Sequence, residues 1–112
     1  MIIIQNKILV KIITFNFARA ITLFPFIILR DKNLKNDKII LNHEKIHIRQ
    51  QLELLIIPFY LLYFLEFIFK YFKYKSRYIA YRNISFEKEA YENETNQMYL
   101  KSRKWYGFLN YL

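Results

Sequence analysis

The sequence centres on residues 42–47, Asn42-His43-Glu44-Lys45-Ile46-His47. On a helix, residues four apart lie on the same face, one above the other. His43 and His47 can therefore present two imidazole nitrogens to one metal ion. Glu44 follows the first histidine and can take a proton from a water molecule held by that ion. These are the parts of the HExxH motif, in which two histidines bind zinc and the glutamate is a general base.

The motif is specific because the chain contains only two histidines and both lie in it. A shuffled chain of this composition would place them four apart, with glutamate after the first, in roughly one of a thousand arrangements. The alternative is a pair of exposed histidines on a helix with a solvated glutamate between them. Structure has to decide between the two interpretations.

The third zinc ligand has to be a carboxylate, because the chain has no cysteine and no further histidine. A catalytic zinc ion normally has three protein ligands and a water molecule. Asp31 and Asp37 precede the motif and lie at or before the start of its helix, which makes them poor candidates. Glu53 and Glu66 lie too far along the chain from His43 to reach back to it.

A separate predicted helix carries four of the nine acidic residues, Glu87, Glu89, Glu92 and Glu94. Of these, only Glu87 and Glu94 share a face with the small residue Ala90, which allows close approach of two helices. We predict that Glu87 is the third ligand and that Glu94 hydrogen-bonds to a ligand histidine and fixes its tautomer. The alternatives are Glu94 as ligand and a solvated acidic helix face.

The combination of His43-Glu44-x-x-His47 with Glu87-x-x-Ala90 resembles the gluzincin metallopeptidases. The most similar are the integral-membrane CAAX prenyl protease and HtpX families, whose second helix reads E-x-x-A-D. The resemblance implies that His43, His47 and Glu87 bind one zinc ion and that Glu44 is the general base. The chain departs from the family at Tyr91, where the family has an aspartate that supports a ligand histidine. The stretch HEKIHIRQQ also resembles the HExxHxxQQ of small bacterial zincin-like proteins, and the resemblance covers residues 20–94.

Further residues near the motifs are candidates for supporting roles. Gln51 lies one turn beyond His47, where it can orient a ligand or a water molecule, or bridge two helices instead. Tyr91 lies beside the second motif. Stabilising a developing oxyanion needs a hydrogen-bond donor, and Tyr81, Arg82 and Tyr91 are open candidates for it.

We expect one domain over residues 1–112, mainly α in the α+β sense: a small zincin-like helical domain with a short edge strand or hairpin before the motif helix. Residues 2–17, which include Phe17, fit helical spacing but also a strand. Residues 20–29 contain Pro25 and are predicted as an edge strand, which in zincins receives substrate as an added strand.

Capping and breaking residues predict where the helices begin and end. Asn36 or Asp37 can cap the motif helix, and Pro58 should kink or restart the chain after it. The Glu87 helix should start near Asn83 or Ser85. Residues 97–107 are predicted to be helical. Residues 1–20 are not expected to be a signal peptide, because Lys11 interrupts the apolar stretch.

The apolar helical segment over residues 54–72 is ambiguous. Its uncharged part, residues 54–65, is shorter than the roughly twenty residues that span a bilayer, and a buried core helix is the alternative. Lys70, Lys73, Lys75 and Arg77 alternate with tyrosines, a pattern typical of an anionic membrane surface. The net charge of +9 is itself weak support, because biased coding alone can produce this composition.

We predict a zinc-dependent metallopeptidase with one Zn²⁺ per chain, which hydrolyses a peptide or protein substrate. It would work in the cytoplasm, associated with or anchored in the inner membrane. The alternative is a catalytically inactive, membrane-associated zincin-like protein with a structural or interaction role, and a fourth protein ligand on the zinc would favour it. Nucleic-acid binding ranks last, because the chain has no recognisable nucleic-acid-binding module.

Overall fold

The computed structural model describes residues 2–14 and 18–112. In these residues the chain forms a small three-stranded sheet and six α-helices, which confirms the mainly α, α+β class. The elements in chain order are β1 (Ile2–Gln5), α1 (Lys7–Thr14), β2 (Ala20–Leu23), β3 (Phe26–Leu29), α2 (Lys38–Glu53), α3 (Ile57–Tyr74), α4 (Arg77–Arg82), α5 (Ser85–Asn93) and α6 (Tyr99–Ser102), with 3-10 helices at Lys32–Asn36 and Gly107–Tyr111.

The sheet has the strand order β1-β3-β2, with β1 parallel and β2 antiparallel to β3. Residues 20–29 therefore form the hairpin of the predicted fold class, and the prediction of one edge strand over this stretch is wrong: β2 is an edge strand, and β3 is the central strand. Pro25 lies in the turn of the hairpin, where the missing N–H removes no bond from the sheet. The described part of residues 2–17 divides into strand β1 and helix α1, and Phe17 lies outside the described residues.

Helix α2 begins at the predicted cap. The Oδ1 atom of Asp37 accepts hydrogen bonds from the N–H groups of Ile39 and Ile40, at 3.0 and 3.1 Å. These bonds satisfy two of the donors that a helix start leaves free. On one side of α2 lies a cluster of Ala20, Ile27, Leu29 and Leu34, and a second cluster consists of Phe59, Ile84, Phe86 and Phe108.

Pro58 restarts the chain, as expected. Helix α2 ends at Glu53, and Pro58 lies in the first turn of α3, where its missing N–H costs no helical bond. Among the described residues, no single helix has both the length and the hydropathy to cross a bilayer. Helices α2 and α3 taken together meet those requirements, but a bend of 112° separates them.

Helix α5 begins at Ser85, and an acidic residue of α3 binds its first turn. The carboxylate of Glu66 accepts from the Ser85 N–H at 2.6 Å and from its hydroxyl at 2.7 Å. A carboxylate at a helix N-terminus is favoured by the helix dipole. Glu66 therefore fixes the start of the helix that carries Glu87.

The prediction of a helix over residues 97–107 is wrong. Helix α6 covers only Tyr99–Ser102, and the backbone at Arg103 is extended, with φ −64° and ψ 131°. The extended backbone lets the Arg103 guanidinium reach Glu53 at the end of α2, at 2.7 and 3.1 Å, and Glu89 of α5. All three side chains of this network are fully buried. The end of α6 at Ser102 thus coincides with the buried contacts of Arg103.

Arg103→Ala should lower the free energy of unfolding by about 3–5 kcal/mol, because it leaves two buried carboxylates without their cation. Urea denaturation followed by circular dichroism measures the change. Lys104→Ala, an exposed neighbour, is the matched control and should have little effect. An Arg103→Ala variant as stable as that control would contradict the role assigned to this network.

Candidate metal centre

Three buried side chains from two helices converge on one point. His43 and His47 lie one turn apart on α2, and Glu87 lies in the first turn of α5. The His43 Nε2, the His47 Nε2 and the Glu87 Oε1 atoms are each 3.2 Å from the other two. Among the described residues these three form a group that could hold a metal ion.

The other ring nitrogen of each histidine fixes its tautomer. His43 Nδ1 donates to Glu94 Oε2 at 2.7 Å, and His47 Nδ1 lies 2.8 Å from Gln50 Oε1. The orientation of the Gln50 amide is set by its Nε2, which donates to the Phe86 carbonyl and to Glu89 Oε1. Gln50 Oε1 therefore accepts from His47, so both histidines carry a proton on Nδ1. In their neutral forms both present an Nε2 lone pair to the convergence point.

Glu87 adds a third lone pair. Its Oε2 accepts a hydrogen bond from the Tyr63 hydroxyl at 2.7 Å, which leaves Oε1 facing the two imidazoles. Three electron-pair donors at 3.2 Å repel one another unless protons or a cation lie between them. The hydrogen bonds around the site therefore favour a positive charge between these three atoms.

The shifted pKa values of His43, His47 and Glu87 also indicate that a positive charge is favoured at this point. Burial opposes the protonation of His43, but hydrogen bonds to Glu87 and Glu94 outweigh it and raise the pKa of His43 to about 10. Burial likewise opposes the protonation of His47, and the Glu87 carboxylate raises its pKa above the ordinary value. Burial would raise the pKa of Glu87, but His47 and His43 hold it well below its usual range. A metal ion at this point would replace those imidazole protons.

Glu44 lies on the wall of the cavity that the metal ligands also line. Its Oε2 accepts from the Thr22 hydroxyl of β2 at 2.7 Å, which holds the buried carboxylate in one orientation. The cavity has a volume of about 600 Å³. Its lining is mainly apolar and comes from α1, β2 and α3 as well as from the helices that carry the ligands. The Glu44 carboxylate and the three candidate ligand atoms therefore line one mainly apolar cavity.

Two of the predicted supporting residues have different outcomes. Glu94 makes the hydrogen bond to a ligand histidine that the sequence predicted. Gln51 lines the cavity, and its Oε1 accepts from the Phe24 N–H while its Nε2 donates to the Thr22 carbonyl. Gln51 therefore joins α2 to the β2–β3 hairpin. Gln50, its neighbour, is the residue that contacts His47.

The candidate oxyanion donors are linked to one another. The Tyr91 ring packs edge-on against His43, with the ring centroids 4.5 Å apart. The hydroxyls of Tyr81 and Tyr91 are 2.9 Å apart, and both residues line the cavity. The Arg82 guanidinium stacks over the Tyr91 ring, 3.8 Å from its centroid. Burial raises the pKa of Tyr91 to about 12 and that of Tyr81 further, so both keep their protons at neutral pH.

Sequence reasoning missed three residues that contact the site: Thr22, Gln50 and Tyr63. Gln50 lies three residues after His47, and the helical spacing could have indicated it. Tyr63 lies on α3 and Thr22 on β2, and neither belongs to a local motif. Only the packing of those elements against α2 and α5 brings these two hydroxyls to Glu87 and Glu44.

Binding of Zn²⁺ at pH 7 should release between one and two protons per ion, because a pKa of about 10 keeps the metal-free His43 imidazole protonated and the raised pKa of His47 favours its protonated form. Isothermal titration calorimetry in two buffers of different ionisation enthalpy measures the number. Binding should weaken as the pH falls, since protons then compete more strongly. Zinc binding that releases no proton would contradict this charge state.

No protein-family model, no curated protein and no solved structure matches this chain. The resemblance to gluzincins therefore stays a prediction that rests on the two motifs.

Proposed function

We propose that the protein is a zinc-dependent metallopeptidase. In this proposal His43, His47 and Glu87 hold one Zn²⁺, and Glu44 is the general base that serves hydrolysis of a peptide bond. The observation that carries the proposal is the convergence of three buried electron-pair donors at 3.2 Å, beside a carboxylate in the same cavity.

The ligand set and its spacing support zinc. Two histidines and one glutamate form a ligand set of known catalytic zinc sites, with the fourth position left for water or substrate. Ligand atoms about 2.0–2.1 Å from a tetrahedral ion lie roughly 3.3–3.4 Å from one another. The observed separations of 3.2 Å are close to that spacing.

Bound zinc would supply a Lewis acid that makes water more acidic and polarises a carbonyl. Glu44 would take the proton from the attacking water and deliver it to the leaving amine. The Thr22 hydroxyl would hold Glu44 Oε2 during both transfers, leaving Oε1 to face the water. Glu94 and Gln50 would keep the two imidazoles in the tautomer that offers Nε2 to the metal.

The cavity-lining tyrosines are the better candidates for the oxyanion donor. Tyr81 and Tyr91 keep their hydroxyl protons at neutral pH and line the same cavity as Glu44. The Arg82 guanidinium instead contacts the Tyr91 ring. A hydroxyl donor near the reacting carbonyl would stabilise the negative charge that develops on its oxygen.

Strand β2 is the candidate binding edge for a peptide substrate. It is the outer strand of the sheet on the side away from β1, and all four of its residues line the cavity. An extended peptide can add through main-chain hydrogen bonds at the Ala20 end of this edge, because Gln51 and Tyr60 already donate to the Thr22 carbonyl. This placement would bring a scissile bond alongside Glu44 and the metal ligands.

The second candidate is an inactive, membrane-associated zincin-like protein in which the metal stabilises the fold. The broad apolar surface of α3 supports the membrane association in this alternative. The two proposals predict the same metal content and differ in hydrolysis.

Purified protein should contain about one equivalent of zinc, and His47→Ala should lose it, because two ligands hold zinc far more weakly than three. Elemental analysis by mass spectrometry measures this content, and Glu87→Ala should behave in the same way. Lys45→Ala, exposed on the same helix, is the control and should keep its zinc. Retention of normal zinc by His47→Ala would rule out the site.

Glu44→Gln should keep zinc yet slow hydrolysis of a casein-like substrate by roughly 10²–10⁴-fold, since an amide cannot accept the proton. Glu92→Gln, on the exposed side of α5, is the matched control. Unchanged hydrolysis by Glu44→Gln would reject the peptidase mechanism. Zinc-loaded wild-type protein that hydrolyses nothing would support the inactive alternative.

A further inference from the structure

Helix α3 exposes a wide apolar face. Eight large apolar side chains on it are exposed, with values between 36 and 78%. At about 100° of rotation per residue, they cover an arc of roughly 160° around the helix. These residues are Ile57, Leu61, Leu62, Phe64, Leu65, Ile68, Phe69 and Phe72.

The charged residues of the same stretch lie on the opposite side of the helix. Glu66 binds the first turn of α5 through Ser85, and Lys70 is buried. A surface helix of a water-soluble protein has the reverse arrangement, with its apolar stripe inward and its charges outward. Within residues 57–72, α3 therefore directs its charges into the protein and its apolar side chains outward, and apolar patches of this kind mark interaction sites.

Basic and aromatic side chains follow directly where this apolar face ends. Lys73, Lys75 and Arg77 are exposed, and the exposed rings of Tyr71, Tyr74 and Tyr78 lie among them. Tyrosine is enriched at the boundary between hydrocarbon and headgroups, and lysine and arginine near it attract anionic lipids. Exposed aromatic and basic side chains therefore border the apolar face at the C-terminal end of α3.

The apolar face also continues into the cavity of the candidate metal centre. Phe64 is exposed on α3 and lines that cavity as well, together with Phe67 of the same helix. Ile13 of α1, another exposed apolar residue, lines it from a different element. An apolar phase that covered α3 would therefore border the cavity directly.

We propose that α3 docks this protein on an anionic lipid bilayer, with the apolar face in the acyl boundary and Lys73, Lys75 and Arg77 on the headgroups. The basic and aromatic residues beside the face favour an anionic lipid surface over an apolar protein groove. Because the apolar side chains cover one side of α3 and its charges face the protein, α3 would lie in the interface. The inference does not depend on zinc or on peptidase activity.

Flotation of the full chain with vesicles tests the proposal. Wild-type protein should float with vesicles of phosphatidylcholine and phosphatidylglycerol, and less with phosphatidylcholine alone. Leu61→Ser with Phe69→Ser should lower the partition coefficient at least about tenfold, since two large apolar side chains no longer enter the lipid. The control pair, Leu109→Ser with Trp105→Ser, lies outside α3 and should float like wild type. The exposures match: 59 and 66% in the test pair, 54 and 71% in the control.

A charge variant tests the basic residues separately. Lys73→Glu with Lys75→Glu should remove the preference for phosphatidylglycerol, because the attraction to anionic headgroups is lost. Circular dichroism of each variant establishes that it is folded. Equal flotation of wild type and the Leu61/Phe69 variant would overturn the proposal. So would wild-type protein that does not float but sediments as a dimer that the same two substitutions dissociate, because a second copy would then cover α3.

Discussion

The candidate metal centre depends on one constraint. Two helices hold three electron-pair donor atoms 3.2 Å from one another, at a distance where their lone pairs repel. A second atom of each side chain makes a hydrogen bond that fixes its orientation. The partners are Glu94 for His43, Gln50 for His47 and Tyr63 for Glu87. These contacts prevent the ligand atoms from turning away, so only protons or a cation can relieve the repulsion. This constraint supports the proposed metal centre more directly than the motif letters do.

Further polar contacts join α2 and α5, the two helices that carry the candidate ligands. Gln50 touches both His47 and Glu89, and Glu89 shares the Arg103 guanidinium with Glu53. A continuous chain of polar contacts therefore runs from His47 to Arg103. Because every member is buried and hydrogen-bonded, a change at Arg103 should reach the site through Gln50. On the other side of α2, the hairpin contributes Thr22, which positions the Glu44 carboxylate.

Local chemistry predicted much of this arrangement. Asp37 caps α2, Pro58 restarts the chain, and helical spacing places His43 and His47 on one face. Glu94 was predicted as the support of a ligand histidine from its shared face with Glu87, and its hydrogen bond to His43 is present.

Contacts between distant elements could not be predicted in this way. Tyr63 reaches Glu87, and Arg103 ends the predicted C-terminal helix, because of packing between segments far apart in sequence. No local pattern records such packing. X-ray absorption at the zinc edge of the zinc-loaded wild-type protein tests the central claim most directly, and we expect two imidazole nitrogens and two oxygens at about 2.0–2.1 Å. A spectrum without imidazole scattering would contradict the claim.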